Sequence, residues 1–496
     1  MTLAMRISLL LLIVAVQVSS QESVPTEEIL IDARAATKPF PHFWEQMFGS
    51  GRAVLSLRES YRTDLRAMKA STGIKFVRFH AIFDDENGVF SENSEGKPVY
   101  NWSYVDEIYD GLLQNGVRPF VEMSFMPKAL AASLTPHAFW YKPLPSPPKD
   151  YAKWEELVYQ FAKHLVDRYG INEVSQWYFE VWNEPNIDFW TGNPKQSTYF
   201  ELYDHAARAV KRADGRLRVG GPATAQAAWI PDTIAHAVTN RVPLDFVSTH
   251  VYGNDLSQDV FGTDENIDRA VMVSRAVEKV AKQVRQSARP ELPIIWSEYN
   301  ASYKNEIDVT DSAYMGPWLA NNIRLCDGLT AMMSYWTFSD VFEEQGVVET
   351  PFYGGYGLIA EGGVPKAAFN AFRMLHRLGD QRLEPDLANA LVTKRGDGTF
   401  AVAVWNYSAP GTTVNARKIH LNLQGWPGNP RYDIEIVDPN HGSALEAWRR
   451  MGSPVTPTRE QYERLKQEAA VTQKLEGTST FLLPSQGLAL IELRPH

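Results

Sequence analysis

Two glutamates follow apolar, strand-like runs in this sequence, and their positions suggest acid–base chemistry. Glu184 lies in "FEVWNEP" (Phe179–Pro185), and Glu298 lies in "PIIWSEYN" (Pro293–Asn300). An ionised glutamate is seldom buried unless it is paired, so a carboxylate at the rim of a buried strand is either a surface accident or a working group. Two carboxylates on either side of one bond are what hydrolysis of a glycosidic bond requires.

The neighbours of the two glutamates indicate which one holds the proton. Glu184 lies two residues after aromatic Trp182 and is expected close to the second carboxylate, and both conditions raise the pKa of a carboxyl group. Glu298 is expected to accept hydrogen bonds from strand-end groups such as Tyr252, which favour its charged form. We therefore predict that Glu184 is the general acid/base and Glu298 the nucleophile. Asn183 is placed to bind the sugar 2-hydroxyl.

The elements that must position these glutamates are eight apolar runs, of which the fourth carries Glu184 and the seventh Glu298. The runs are Phe43–Gly49, Lys75–Phe83, Arg118–Phe125, Gln176–Glu184, Leu217–Ala223, Asp245–Tyr252, Pro293–Asn300 and Ala331–Asp340. Near-continuous apolar runs suit strands buried on both faces, and the segments between them show helical spacing, for example from Val273 to Val284. This alternation predicts a (β/α)₈ barrel. An open doubly wound sheet is disfavoured, because no Gly-rich phosphate loop follows the first run.

Chemistry in such a barrel gathers at the carboxyl ends of the strands. Besides the two glutamates, the polar and aromatic residues at those ends are Arg78, His80, Phe125, Asn183, His250, Tyr252 and Trp336.

Residue type alone leaves alternative interpretations open at three places, two at the strand ends and one just beyond the eighth run. His80 with Asp84 and Asp85 offers metal-ligand atoms, although no second histidine lies at ligand spacing. Trp336 is equally compatible with core packing. The pair Glu343-Glu344 is compatible with a solvated loop, the usual fate of a short charge run.

The chain divides into two domains. "RGDGTFAVAVWNY" (Arg395–Tyr407) has an Asp-Gly turn followed by alternation and predicts a hairpin, and Thr478–Leu493 has a similar pattern. We therefore predict a catalytic barrel over residues 21–360 and an accessory C-terminal β-sandwich over residues 361–496. Ile29–Ala33, ahead of the barrel, is a candidate for one further strand of the sandwich.

Residues 1–20 predict a secretory signal peptide. Arg6 supplies the positive start, Ile7–Val16 the apolar stretch and Val18–Ser20 the small residues near a cleavage point. The stretch is shorter than the ~20 apolar residues that a spanning helix needs. The protein is expected to be exported, to the periplasm or outside the cell, with no membrane contact after cleavage.

The overall charge bears on possible partners. Lys and Arg total 49 and Asp and Glu total 59, which gives a net charge of −10, and no block of basic residues is present. A nucleic acid or an anionic membrane is therefore disfavoured as a partner. The sequence predicts no particular oligomeric state.

Taken together, eight motifs resemble those of glycoside hydrolase family 39. They are "FWEQMFGSGRA", "VRFHAIFDD", "PFVEMSFMP", "PPKDYAKW", "FEVWNEPN", "STHVYG", "WSEYN" and "SYWTFSDVFEE". The resemblance covers nearly the whole chain after the signal and is closest to the β-xylosidase branch, the α-L-iduronidases being the other well-known branch. It implies a (β/α)₈ retaining glycosidase with catalytic glutamates on strands four and seven, and a reaction that needs neither a metal nor an organic cofactor.

The resemblance also assigns residues. It implies that Glu184 is the acid/base and Glu298 the nucleophile. The positions that it implies for the terminal-sugar pocket are Arg78, His80, Phe125, Asn183, His250, Tyr252, Trp336, Glu343 and Glu344. Glu343 and Glu344 are expected to bind the far hydroxyls of that sugar.

The expected function is that of an exo-acting β-D-xylosidase that trims xylo-oligosaccharides. One alternative is a preference for arabinosyl, glucosyl or iduronosyl units, and a uronic acid would need a free Arg or Lys facing its carboxylate. The other is a carbohydrate-binding protein without catalysis, which the presence of both glutamates disfavours.

Overall fold

The computed structural model of the protein describes residues 25–426 and 428–495 of the 496-residue chain. The predicted signal peptide, residues 1–20, lies outside the described residues. Within those ranges, every helix is too short or too polar to span a membrane.

Eight parallel strands form a closed barrel in which each strand pairs with the next one along the chain and the last pairs with the first. The strands are β1 (Met47–Gly49), β2 (Phe76–Phe79), β3 (Arg118–Met123), β4 (Tyr178–Val181), β5 (Arg218–Thr224), β6 (Phe246–Tyr252), β7 (Ile294–Asn300) and β8 (Met332–Tyr335). Each overlaps one of the eight apolar runs, and almost every residue in them is buried, as expected for strands covered on both faces. The predicted (β/α)₈ barrel is confirmed.

One long helix follows each strand and covers the outside of the barrel. The helices are α1 (Glu59–Ser71), α2 (Ser103–Gln114), α3 (Tyr151–Tyr169), α4 (Lys195–Ala213), α5 (Ile230–Asn240), α6 (Arg269–Arg285), α7 (Met315–Cys326) and α8 (Ala367–Leu375). Shorter helical segments lie in the connections at Ala53–Leu57, Asp85–Asn87, Ile171–Val174, Ala225–Ala227, Ser257–Phe261 and Ile307–Thr310.

Helix α3 shows how the sequence builds this outer ring. The Asp150 carboxylate caps its start by accepting hydrogen bonds from the backbone N–H groups of Ala152 and Lys153, at 2.9 and 3.1 Å. Its large buried side chains recur every three or four positions, so one face packs on the barrel. They are Trp154, Leu157, Val158, Phe161 and Leu165.

Helix α8 completes the barrel. The ring of Phe372 on this helix lies 5.1 Å from that of Phe48 in β1 and 5.4 Å from that of Tyr335 in β8. The outer ring of the barrel therefore extends past residue 360, where the sequence placed the domain boundary.

The amino-terminal end of the barrel interior is apolar. Six side chains, each from a different strand, form this layer: Met47, Phe76, Phe120, Phe246, Ile295 and Met332. The polar side chains Arg78, Glu122 and Glu180 of the barrel interior follow this layer along their strands, towards the carboxyl-terminal end.

The second domain is a sandwich of two sheets. The larger sheet contains, in spatial order, Thr37–Pro39, Gln381–Leu383, Ala390–Lys394, Phe400–Trp405, Leu488–Pro495, Pro430–Val437 and Gln473–Glu476. The smaller sheet contains Thr26–Asp32, Arg417–Gln424 and Thr480–Leu483. Apolar side chains of both sheets share one core, which confirms the predicted accessory β-sandwich.

The sandwich uses chain from both ends of the molecule. The segment Ile29–Ala33 lies largely in the strand Thr26–Asp32, which pairs in parallel with Arg417–Gln424. Two helices, Leu445–Arg450 and Arg459–Ala470, lie in a connection of this domain. Small two-stranded sheets pair Phe90–Glu92 with Pro98–Tyr100, and Ile359–Ala360 with Val364–Pro365.

Candidate active site

A cavity of about 390 Å³ opens at the carboxyl-terminal end of the barrel. Seven of the eleven predicted site residues line it: His80, Asn183, Glu184, Tyr252, Glu298, Trp336 and Glu344. The other four lie behind the wall of the cavity and are not part of its lining: Arg78, Phe125, His250 and Glu343.

Glu184 is held in an unusual backbone conformation at the rim. It lies three residues beyond β4 and has a φ of 42°, in the left-handed region that non-glycine residues seldom adopt. Strands β4 and β5 are paired neighbours. Beyond their paired residues, the backbone N–H of Glu184 donates a hydrogen bond to the carbonyl oxygen of Ala223 at 2.8 Å. Strain of this kind persists only where the surroundings enforce it, and it is concentrated at functional sites.

The surroundings of Glu184 favour its protonated form. Burial raises the pKa of this carboxyl group well above its usual value, and the nearby charges of Glu298 and Asp255 raise it further. A carboxyl group that keeps its proton at neutral pH is suited to act as a general acid.

Glu298 has the opposite surroundings. Its Oε1 accepts a hydrogen bond from Nη1 of Arg78 at 2.7 Å, and its Oε2 accepts one from the hydroxyl of Tyr252 at 2.6 Å. Hydrogen bonds to a charged carboxylate stabilise the charge and hold the group in one orientation. A carboxyl group held in one orientation by these two donors at the base of the cavity is placed for nucleophilic attack.

His250 bridges the two glutamates. Its Nδ1 lies 3.0 Å from Oε1 of Glu184 and 3.7 Å from Oε1 of Glu298, and its Nε2 lies 3.0 Å from Oγ of Ser297. Burial pulls the pKa of His250 well below its usual value, and the charge of Arg78 adds to this effect, so the ring is neutral.

The spacing of the two carboxylates distinguishes between mechanisms. One oxygen of Glu184 and one of Glu298 lie within 4.8 Å of each other. Retaining glycosidases have carboxyl groups about 5–5.5 Å apart, whereas inverting enzymes need roughly 6.5–9.5 Å to admit a water molecule. The spacing therefore favours retention.

Two places at the site offer metal-ligand atoms. Glu184, His250 and Glu298 have ligand atoms close enough to bind one ion, but such an ion would occupy both carboxylates that the hydrolysis needs. The cluster of His80 with Asp84 and Asp85 is not assembled: His80 pairs with Glu122, and Asp84 accepts from a backbone N–H in its own turn.

Arg78 joins the groups beneath the cavity. This fully buried guanidinium donates from Nε to Glu180 at 2.6 Å and from Nη2 to Oδ1 of Asn183 at 2.9 Å, besides its contact with Glu298. Nη2 also lies 2.9 Å from Glu122. Because Arg78 occupies the carbonyl oxygen of Asn183, the amide NH₂ of Asn183 is the part available to a sugar hydroxyl.

Aromatic rings shape one side of the cavity. The ring of Trp336, the residue after β8, lies 4.8 Å from the ring of His80. A Cβ atom at Gly49 would lie 2.1 Å from the Trp336 ring, so only glycine permits this approach. Phe125 packs behind the wall, 5.6 Å from Trp182 and 6.1 Å from Phe189.

Adjacent Glu343 and Glu344 have different environments. Glu343 forms ion pairs with Nη1 of Arg52 at 3.0 Å and with Nη1 of Arg58 at 2.5 Å. The two arginines balance the charge of Glu343 and hold its side chain outside the cavity lining. Glu344 lines the cavity, 3.7 Å from Nε2 of His80, and burial raises the pKa of Glu344 to about 8. Of the two glutamates that the sequence predicted for the sugar pocket, Glu344 lines the cavity and Glu343 does not.

Several residues of the site were absent from the sequence prediction. Glu122 and Glu180 are buried charges inside the barrel, and their signal was a carboxylate within an apolar strand. Asp255 lines the cavity next to the catalytic pair. The remaining newly identified lining residues are Phe139, Ile187, Phe189, Ala225, Gln226, Tyr303, Gln345 and Tyr356. They lie in connections, where no periodic pattern marks them.

Several known proteins are similar to this chain in sequence or in fold. The family model described as "Glycosyl hydrolases family 39" matches residues 27–480. A β-xylosidase from Caldicellulosiruptor saccharolyticus is 36% identical over 433 residues, which cover 85% of this chain and 87% of the relative. A solved GH39 β-xylosidase from Caulobacter crescentus has a TM-score of 0.82 and 35% identity, covering 95% of this chain and 100% of that one. The Homo sapiens α-L-iduronidase is 23% identical over 488 residues, 88% of this chain and 72% of the relative.

Proposed function

Because the chain belongs to glycosyl hydrolase family 39 and is a glycosidase, we propose that it is a retaining, exo-acting β-D-xylosidase. Its substrates are xylo-oligosaccharides, from which it removes the terminal xylose. Relatives with this activity match the chain at 35–36% identity over most of its length.

The charge of the cavity lining is the observation that favours a neutral sugar. In the part of the chain that the structure describes, the lining contains no lysine or arginine. Its acidic side chains are Glu184, Asp255, Glu298 and Glu344. A uronic acid would bring a further negative charge into this group. Among the described lining residues, His80 can carry a positive charge, but its ring nitrogens already lie near Glu122, Glu298 and Glu344, so the added carboxylate would have no cation of its own, which is costly at low exposure. A xylosyl unit brings only hydroxyls.

The geometry supports a two-step reaction. In the first step, Glu298 attacks the anomeric carbon while Glu184 gives its proton to the glycosidic oxygen, so that the leaving group departs as a neutral alcohol. In the second step, Glu184, now ionised, takes a proton from water, and the resulting attack on the anomeric carbon releases Glu298. Two inversions at one carbon give net retention.

The cavity also favours cleavage at a chain end. Apolar side chains fill the barrel beneath the site, and Trp336 and Glu344 lie in the wall beside the catalytic pair. A pocket closed on one side accommodates a terminal unit, whereas an internal unit needs an open groove.

A panel of nitrophenyl glycosides tests the sugar preference. We expect the highest kcat/KM with the β-D-xyloside, followed by the α-L-arabinoside, with little turnover of the β-D-glucoside or the α-L-iduronide. The highest value with the iduronide would contradict the proposal, and turnover of none of the four would point to a different sugar.

We also propose that the protein is exported. The support is the composition of residues 1–20, described above. Amino-terminal sequencing of protein purified from the periplasm or the medium of its native source should give a chain that starts near Gln21. Recovery of chains that begin at Met1 from the cytoplasm would contradict export.

A further inference from the structure

Glu122 is a buried carboxylate inside the barrel that contacts the site from behind. It lies on β3, is only 1% exposed and is not part of the cavity lining. Its Oε2 lies 2.6 Å from Nδ1 of His80 and 2.9 Å from Nη2 of Arg78, and its Oε1 accepts a hydrogen bond from the hydroxyl of Ser124. Donors therefore surround a charged Glu122, and burial is offset by these contacts, which lower the pKa of Glu122.

The opposite edge of the His80 ring faces the cavity. Its Nε2 lies 3.7 Å from Oε1 of Glu344 and 3.8 Å from Oε1 of Glu298. Carboxylate oxygens thus lie beyond both ring nitrogens. A neutral imidazole has a single N–H and leaves one nitrogen without a proton to offer, whereas an imidazolium donates from both.

The charges around His80 can be counted from each element that packs against it. The positive charge of Arg78 on β2 disfavours the protonated form of the His80 ring, and burial disfavours it too. Glu122 on β3 and Glu298 on β7 favour the protonated ring, whereas Glu344 after β8 has a raised pKa and adds less negative charge at neutral pH. Burial lowers the pKa of His80, but Glu122 acts in the opposite direction and the net effect is a raised pKa.

We propose that Glu122 is a positioning residue that keeps His80 doubly protonated, so that the Nε2–H group of His80 is a permanent donor into the sugar pocket. This inference rests on the proposed function for the identity of the ligand. A sugar hydroxyl between His80 and Glu344 then accepts from Nε2–H and donates to a carboxyl oxygen of Glu344. The positive charge of His80 acts to lower the pKa of Glu344, but burial outweighs it and the pKa of Glu344 is raised to about 8.

The variant Glu122→Gln tests this role, because it keeps the shape of the side chain and removes its charge. Without the charge of Glu122, burial and the charge of Arg78 should lower the pKa of His80, so that the ring loses its proton at a lower pH than in the wild-type protein. At about pH 5 solvent protons still protonate the ring, so the loss of kcat/KM on nitrophenyl β-D-xyloside is small. At about pH 7.5 the loss should be at least about tenfold larger.

Two control variants keep the charge of residue 122. Glu122→Asp shortens the side chain, and Ser124→Ala removes the hydroxyl that contacts Oε1. Both should lower activity by a factor that does not change with pH. If Glu122→Gln behaves in the same way, with a loss independent of pH, Glu122 is merely structural and the proposal is wrong.

Nitrogen-15 NMR of the wild-type protein gives a test that does not depend on turnover. With labelled histidine, and with His80→Gln used for assignment, both ring nitrogens of His80 should show imidazolium shifts at pH 7. A neutral ring at that pH would overturn the proposal. A protein that fails to cleave xylosides but shows the imidazolium would refute the proposed function and leave this inference standing.

Discussion

Two buried glutamates at opposite ends of the barrel, Glu45 and Glu184, have nearly the same exposure, 2% and 8%, and opposite properties. Glu45 lies ahead of β1 and accepts hydrogen bonds from Nδ1 of His42 at 2.7 Å, from Nδ1 of His376 at 2.9 Å and from the N–H of Gly73 at 3.0 Å. Burial acts to raise the pKa of Glu45, but these donors lower it to about 2.

Glu184 has no such set of donors around it in the part of the chain that the structure describes. Its close partner is the neutral ring of His250, and the nearest charges include the carboxylates of Glu298 and Asp255. Burial and like charge therefore act together, and the pKa of Glu184 is raised well above its usual value. The comparison shows that burial alone does not make a glutamate reactive. The partners decide whether a buried carboxyl group stabilises the fold or carries a proton.

The largest expected effect comes from removing either catalytic carboxylate. Glu298→Ala and Glu184→Ala should each lower kcat on unactivated xylosides by about 10³–10⁴-fold or more. With an activated nitrophenyl xyloside, whose leaving group departs without protonation, azide should rescue both variants with opposite stereochemistry: inverted glycosyl azide from Glu298→Ala and retained glycosyl azide from Glu184→Ala. NMR of the azide products checks this, and the same product from both variants would mean that the two roles are not divided as described.

The next effect separates two glutamates that are adjacent in sequence. Glu344→Gln alters a group that lines the cavity, and kcat/KM should fall by about 10–100-fold, the effect of leaving a buried hydrogen-bonding partner poorly paired. Glu343→Gln changes only the pairing with Arg52 and Arg58, so its loss should be several times smaller. Steady-state kinetics on one xyloside decides, and equal losses would place Glu343 at the substrate after all.

A smaller effect is expected at the close contact between β1 and the wall of the cavity. Gly49→Ala would place a methyl group against the Trp336 ring and displace it, which should raise KM about tenfold with less effect on kcat. Gly215→Ala is the matched control, because a Cβ atom there meets no atom within 4 Å. A Gly49→Ala protein with unchanged KM would show that Trp336 does not shape the sugar site.

The smallest effect on activity is expected at the other end of the barrel. Glu45→Gln should leave kcat/KM unchanged and lower stability, because the charged acceptor of two histidines becomes a neutral amide. The pKa of Glu45 falls from 4.5 to about 2 on folding, so its contribution is present above pH 4.5 and is lost as the pH falls towards 2. The shift corresponds to roughly 3 kcal/mol of unfolding free energy.

Denaturant unfolding of wild-type and Glu45→Gln protein at pH 7 and pH 3 checks this expectation. The difference in unfolding free energy between the two proteins should be smaller at pH 3 than at pH 7. His376 acts in the other direction: its pKa is raised by Glu45, so its contribution is present below pH 6.5 and declines at higher pH. A gap that widens on acidification would contradict the assigned role of Glu45.

The barrel was predictable because its strands are buried on both faces, which makes each one a nearly continuous apolar run. The two glutamates were predictable for a related reason: each interrupts or ends such a run, where a carboxylate is conspicuous. In the second domain, the patterns of Arg395–Tyr407 and Thr478–Leu493 predicted strands, and the structure has strands in both segments.

Partners that are distant in sequence were not predictable. The arginine that pairs with Glu343 at 3.0 Å lies 291 positions earlier, and no local pattern connects the two. Glu122 is a similar case. A glutamate within an apolar strand predicts a buried carboxyl group, but the sequence does not indicate that this group contacts the ring of His80. The extension of the barrel to α8 was missed because a single amphipathic helix after residue 360 carries no mark of the domain to which it belongs.

Trapping the covalent intermediate tests the central claim most directly. A 2-deoxy-2-fluoroxyloside with a dinitrophenolate leaving group should react once per active site, because the fluorine slows release more than formation of the glycosyl-enzyme. Mass spectrometry of the digested protein should then find the fluoroxylosyl group on Glu298. A label on Glu184, or full turnover without any label on Glu298, would contradict the division of roles between the two glutamates.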